Sequence, residues 1–253
     1  MNVPDHIGIK AAALCCQNSD LLSAFGLECE LPDKTLLPSN LRRRSGLTTM
    51  MAVTAAMRAC EIAGVETTEL PSVFASVGGE IQVTDVLCRL LPDRDYQISP
   101  TQFHNSVHNT TAGYWSILTQ CHKPGTAIAA IEDTFAMGVL EAWSQLQFQH
   151  GDILLVCYDE LWPQYLAPPI GSAALACALV LTSHKSGHNL GKIARPTIQA
   201  ESIEFAQELL ELVQSAPAAA CIPLLKALKQ VDYDGMVALN TQGVNWVTRL
   251  HRV

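Results

Sequence analysis

Two stretches, GDILLVCYDE at residues 151–160 and GSAALACALVLTS at 171–183, run apolar almost without interruption. A strand with one wet face alternates apolar and polar residues, because successive side chains point to opposite sides. These runs do not alternate, so they predict strands buried on both faces of a sheet. Neither is long enough to cross a bilayer, which takes about 20 apolar residues as a helix. Residues 7–16, PSVFASVGG with a strand over 71–77, and GTAIAAI at 125–131 read as further short strands.

Helical stretches lie between them. LTTMMAVTAAMRACEIA, 47–63, is unpunctuated and rich in Ala and Met, and Gly64 follows where a C-terminal cap belongs. Glu80 to Leu91 reads as a helix stopped by Pro92, and a second helix is expected over 104–117. A long helix over 132–149 carries Phe135, Leu140, Trp143, Leu146 and Phe148. Residues 31–46, with two prolines and the run Arg42-Arg43-Arg44, are expected to be irregular. Short apolar strands alternating with helices of twelve to eighteen residues indicate an α/β fold, a layered sheet covered by helices. From about Gly187 the texture changes. ESIEFAQELLELV, 201–213, reads as an amphipathic helix, SAPAAA as a break and 221–229 as a short helix, followed by DGMVALN and a tail.

Composition narrows the function. Charged residues are only 16% of the chain, against roughly 25% in an average soluble domain. Such a chain has a large interior or hides part of its exterior in a partner. The net charge of −8 argues against a nucleic-acid surface, which needs clustered Lys and Arg. Arg42-Arg43-Arg44 has no interleaved aromatic and reads as a solvated or interface-facing turn. The nine cysteines include no CxxC, and Cys157 and Cys177 sit in apolar runs. They are expected to be reduced, buried small hydrophobes, not a disulfide framework. With no basic segment leading into a long apolar one at the N-terminus, a soluble cytoplasmic chain without a membrane partner is expected.

The residues alone yield no catalytic set. SVGGE, 76–80, lacks the spacing of a dinucleotide fingerprint and reads as close backbone packing. His104 and His108 would share a face of a helix, but no local third ligand completes a metal site. With Asn105, Ser106 and Asn109 they read as a polar network that satisfies backbone groups. His184 and His188 lie in a polar turn and are expected to be exposed. No GxSxG elbow occurs, and Cys157 has nothing near it in sequence to lower its pKa. Glu132 and Asp133 are placed to cap the long helix; adjacent acids do not face each other, so a paired-carboxylate mechanism is not expected. No metal or cofactor is implied.

In order along the chain, SVFASVGGEIQVTDVLCRLL, ISPTQFHNSVHNTTAGYWSI, PGTAIAAIEDTFAMGVLEAWSQLQFQHGDILLVCYDE and PIGSAALACALVLTS resemble the N-terminal half of a β-ketoacyl synthase. More closely, the chain is similar to the short chain-length-factor proteins of aryl-polyene and related type II polyene pathways, with SPTQFHNSVHNTTAGYWSI the most specific element. The resemblance covers roughly residues 5–185 and implies a thiolase-like fold. It divides the chain into a synthase-like domain, 1–189, and a C-terminal extension, 190–253, packing on it in place of the full second half of the thiolase fold. Active members carry a nucleophilic cysteine at the start of a buried helix. Counting back from Gly151-Asp152 puts Thr134, or Asp133, at that position, so neither offers a thiol. The C-terminal catalytic histidines of active members have no match here, His184 and His188 included.

The resemblance therefore implies a catalytically silent subunit that pairs with a full-length ketosynthase and shapes its acyl tunnel, meeting the acyl carrier protein mainly through that subunit. It implies that Gly125, Thr126, Ala127, Ile128, Ala129, Ala130 and Ile131 form an edge strand continuing the partner's sheet. It also places Val86, Leu87, Leu90 and Leu91 toward the tunnel, where ordinary core leucines are the other reading. Two other functions stay open: a truncated acyl-transferring or hydrolytic enzyme using Thr134 or Cys157, and a stand-alone acyl-binding homodimer.

Overall fold

Neither of the two long apolar runs has a wet side. The computed structural model describes residues 6–91, 98–168, 172–184, 189–201 and 203–252; Pro92, Gly171, Gly187 and His188 lie outside the described residues. The chain begins with β1 (His6–Cys16), two short helices, α1 (Asp20–Ser23) and α2 (Ser39–Arg42), and the long α3 (Leu47–Ala63). Then come β2 (Ser72–Ala75), α4 (Ile81–Leu90), α5 (Pro100–Asn105), α6 (Thr110–Thr119), β3 (Gly125–Ile128) and α7 (Thr134–Phe148). β4 (Asp152–Asp159), β5 (Leu175–Thr182), β6 (Gly191–Ala194) and β7 (Thr197–Ile198) precede α8 (Gln207–Ser215) and α9 (Ile222–Lys229). The described chain closes on β8 (Asp234–Ala238) and β9 (Trp246–His251).

All the described strands join one sheet, in the order β3-β2-β4-β5-β1-β6-β9-β7, with β8 on β9. β2, β3 and β4 are parallel, and β5 runs antiparallel to both β4 and β1. Each central strand feeds two cores. Ile153, Leu155 and Cys157 of β4 pack with α7, α8 and α9 on one face, while Leu154, Val156 and Tyr158 pack with α3 and α6 on the other. This explains the unbroken apolar runs: every position along β4 and β5 has a dry side to face. Aromatic edges lock the second core, with Phe74 at 6.2 Å from Tyr158 and 6.4 Å from Trp115 between ring centres.

α3 spans the residues expected, and Gly64 ends it at φ 62° in the left-handed region that favours glycine. α7 is pressed hard onto the sheet: a Cβ at Gly138 would lie 3.0 Å from Ala75 Cβ and from Leu155 Cδ1. Gly138→Val is therefore expected to cost about 1–3 kcal/mol in urea unfolding, with Gly138→Ala less damaging.

Several expected boundaries are corrected. The single helix over 104–117 is two helices, α5 and α6, separated by a turn, so His104 and His108 do not share a helical face. Side chains compete with the helix there: the Thr110 hydroxyl donates to Val107 O (2.8 Å) and the Ser106 hydroxyl to Phe103 O (2.9 Å). The strand over 125–131 stops at Ile128. Ala130 N–H is bound by the Thr134 hydroxyl, and Ile131 begins a 3₁₀ turn (Ile131–Asp133) at φ 51°, which postpones α7 from 132 to Thr134. The strand expected from 171 starts at Leu175, because Ala173 N–H is spent on Ser215 O. The helix expected over 201–213 starts at Gln207, and the SAPAAA break is a 3₁₀ turn, Pro217–Cys221.

Cys16 and Cys29 correct the expectation of nine reduced cysteines. After α1 the chain returns beside the end of β1, where Glu30 N–H donates to Leu14 O, and this brings the two Cα atoms to 6.3 Å with the sulfurs joined as a disulfide. The other seven are free, six of them buried and Cys88 exposed. No helix among the described residues is long and apolar enough to cross a membrane.

Candidate functional site

The C-terminal ends of β2 and β4 deliver acidic residues to the first turn of α3. That helix opens on Gly46, which has no side chain to cap it, and two distant glutamates take over. Thr49 Oγ1 donates to Glu80 Oε1 at 2.6 Å, and Thr48 Oγ1 donates to Glu160 Oε2 at 2.6 Å. Gln82 N–H adds 2.8 Å to Glu160 Oε1, and a Cβ at Gly46 would collide with the Glu80 carboxylate. The positive end of the α3 dipole favours negative charge here.

Burial works against it. Desolvation pushes Glu80 up to about 7, with Glu160 nearby pushing the same way and the Thr49 hydrogen bonds opposing. Glu160 is raised by burial, offset in part by Thr48 and Gln82. Asp159, fully enclosed beside them, is pushed up to about 7 by burial despite hydrogen bonds from Val77 N–H (2.9 Å) and Ser76 Oγ (3.1 Å). Asp159, Glu80 and Glu160 escaped the sequence reading. Their signal was present, since SVGGE and YDE are acids set directly behind apolar strands.

The 101–117 segment packs against this layer. His108 Nε2–H donates to Ser76 O at 2.9 Å, and the Cα of His108 would lie 3.4 Å from a Cβ at Gly79, the close approach expected of the glycine pair. Asn105 Nδ2 donates to Arg44 O, and the Tyr114 hydroxyl donates to Asn105 Oδ1 at 2.9 Å. His104 is exposed and meets Tyr114 edge-on at 5.7 Å. Asn109 is exposed, beside Ser72, Trp115 and Ala127 in a small cleft of about 260 Å³ against β3.

The start of α7 is closed from two directions. Thr134 is buried, and its hydroxyl donates to Ile131 O (2.7 Å) while accepting from Ala130 N–H (3.0 Å). Asp133 Oδ1 accepts 2.6 Å from Asn240 Nδ2, which lies in the turn between β8 and β9; Asn240 Oδ1 in turn holds Trp246 N–H at 3.1 Å. Cys157 is walled into β4, and burial raises its thiol well above the usual range, the opposite of an activated nucleophile. His184 is exposed on the loop after β5. Among the described residues no group of three His, Cys, Asp or Glu could hold a metal ion.

α4 is inverted relative to an ordinary surface helix. Its buried residue is Asp85, gripped by the Tyr165 hydroxyl (2.6 Å) and by Arg89 Nε (2.9 Å), whose guanidinium also covers the Tyr165 ring at 5.1 Å. Arg89 holds the Asp85 carboxyl below the usual range. Val86 (42%) and Leu91 (59%) are exposed, and Leu87 and Leu90 are half-buried, so none of the four belongs to the core.

Residues 23–230 match the β-ketoacyl synthase N-terminal domain profile, well over half of the chain. The chain belongs to that family. Solved structures show the same fold in other β-ketoacyl synthase family proteins. A ketosynthase (ApeO) in complex with its chain length factor (ApeC) from Xenorhabdus doucetiae matches at 18% identity and TM-score 0.72, covering 97% of this chain and 99% of that one. The ishigamide ketosynthase/chain length factor matches at 11% identity and TM-score 0.74, covering 98% and 99%. A β-ketoacyl synthase from Burkholderia phymatum matches at 12% identity and TM-score 0.63, covering 83% and 70%. No curated protein sequence matches the chain. As a thiolase-like α/β protein of the β-ketoacyl synthase family, it places its β2–β4 strand ends, the polar 101–117 segment and the start of α7 around one end of the sheet.

Proposed function

We propose that this β-ketoacyl synthase family member is a chain length factor, a subunit without condensing activity that pairs with a ketosynthase and shapes the tunnel for its growing acyl or polyene chain. One observation carries the reading: at the start of α7 the hydroxyl of Thr134 is buried and engaged on both its donor and acceptor sides, next to an Asp133 clasped by Asn240. A residue so held has no free nucleophile to offer an acyl group. The pairing is supported by the ketosynthase/chain length factor complexes whose fold it shares. In this reading residues 1–189 form the synthase-like unit and 190–253 an extension packed on it, the pathway makes an aryl polyene in the cytoplasm, and the acyl carrier protein docks chiefly on the ketosynthase.

α4 is the element through which length is set. Leu91, exposed at its C-terminal cap, lends itself to resizing without disturbing the core. Co-expressed with its pathway's ketosynthase, Leu91→Trp is expected to shorten the product by at least one extension unit and Leu91→Ala to lengthen it, read by mass spectrometry of the released chains. A product distribution indifferent to both, or a covalent acyl adduct on this chain alone, overturns the reading.

A further inference from the structure

Four strands away from β3 in the sheet, β1 has a gap along one side. β6 pairs with it only from His6 to Ile9, and Glu30 rejoins it at the far end, donating to Leu14 O (2.8 Å) and accepting from Cys16 N–H (3.1 Å). Between these points a groove of about 600 Å³ opens at Ala12 and Ala13, reached by the C-terminal half of α3 from one face and by α9 from the other. Its floor is Leu14, Leu27, Leu225 and Leu228, all buried, and Ile62 forms a half-exposed rim.

Three cations border this apolar floor, and two are already engaged. Arg58 pairs with Glu61 (2.7 Å) and Glu30 (3.3 Å), and Lys229 Nζ donates to Gly26 O (2.9 Å). Arg252 differs. Its backbone N–H is pinned to Tyr233 O at 2.8 Å, yet its half-buried side chain leaves Nη1 without a hydrogen-bond partner among the described residues. An unpaired buried donor on a guanidinium is costly, and a carboxylate is the group that best fits its planar fork. Glu28 also lines the groove but is exposed, and Glu30 is neutralised by Arg58, so among the described residues Arg252 is the lining cation whose side chain is left with neither a carboxylate nor a carbonyl.

We propose that this groove is a second binding site, separate from the start of α7 and from α4, for an amphiphile with a carboxylate head on Arg252 and a straight hydrocarbon tail over Leu14, Leu225 and Leu228. Its volume suits a medium-chain tail, within the range of small-molecule pockets. The test titrates decanoate and 1-decanol, below their aggregation limits, into the full chain by calorimetry. Decanoate is expected to saturate a single site about tenfold more tightly than decanol. Arg252→Gln is expected to erase that preference, Ile62→Trp to weaken both ligands by filling the rim, and Phe148→Ala, exposed and outside the groove, to change neither. The proposal is overturned by equal affinities for the two ligands, by the absence of saturable decanoate binding, or by a preference that survives Arg252→Gln. Should that variant not fold, decanoate binding unchanged by Ile62→Trp overturns it as well.

Discussion

Ala127→Pro is expected to weaken co-purification of this chain with the ketosynthase partner proposed for it by about 100-fold while leaving its own fold intact. The reason lies in the hydrogen bonds of β3. Ser72 N–H donates to Pro124 O and Ser76 N–H to Ile128 O, both at 3.1 Å, so the even-numbered positions of β3 serve β2. In a parallel ladder the alternate residues point their backbone groups the other way, and among the described residues β3 has no neighbouring strand on that side. The outward amides of Gly125 and Ala127 are thus free to pair with another chain, and proline removes one donor and adds bulk where a partner strand would lie. Proline is tolerated on a strand edge whose N–H faces outward. Circular dichroism of the variant should match the parent chain. A complex that withstands the change would place the interface elsewhere.

The second large effect is electrostatic. Glu80→Gln is expected to stabilise the chain by about 3 kcal/mol at pH 8 and to flatten its stability profile between pH 4.5 and 7. Glu80 titrates near 7 in the folded chain and near 4.5 when unfolded, so the folded state holds more protons across that window. Stability therefore falls as pH rises through it, and the penalty is complete above 7. Asp159 adds to the same slope, from 3.8 up to about 7. Asp85 and Asp234 act oppositely, held low by Arg89 and Arg249, and their contribution is lost as pH drops below the ordinary carboxylate range. Urea midpoints should accordingly peak at about pH 4, where the two opposing slopes meet. A parent profile flat from pH 5 to 8 would show that water reaches Glu80.

Much of the scaffold was legible in local patterns, because β4, β5 and α3 are specified by their own residues. The non-alternating runs around Leu155 and Leu179 could only be two-faced strands, and Gly64 marked a helix end by its backbone freedom. What local patterns could not show were features built from distant partners. The capping of α3 by Glu80 and Glu160 needs segments far apart in sequence to meet, as does the clasp of Asn240 on Asp133. The turn between α5 and α6 failed for another reason. Its serine and threonine hydroxyls outcompete the helix over a few residues, a balance that apolar periodicity does not register. The disulfide was missed because Cys29 reaches Cys16 only through the return of the chain along β1.

β1 is made well before the strands it pairs with. Its two neighbours in the sheet are β5 and β6, both encoded in the final third of the chain. Until β5 and β6 follow, an eleven-residue sticky ribbon lacks both of its strand neighbours, so this protein should fold slowly and depend on chaperones that shield nascent segments.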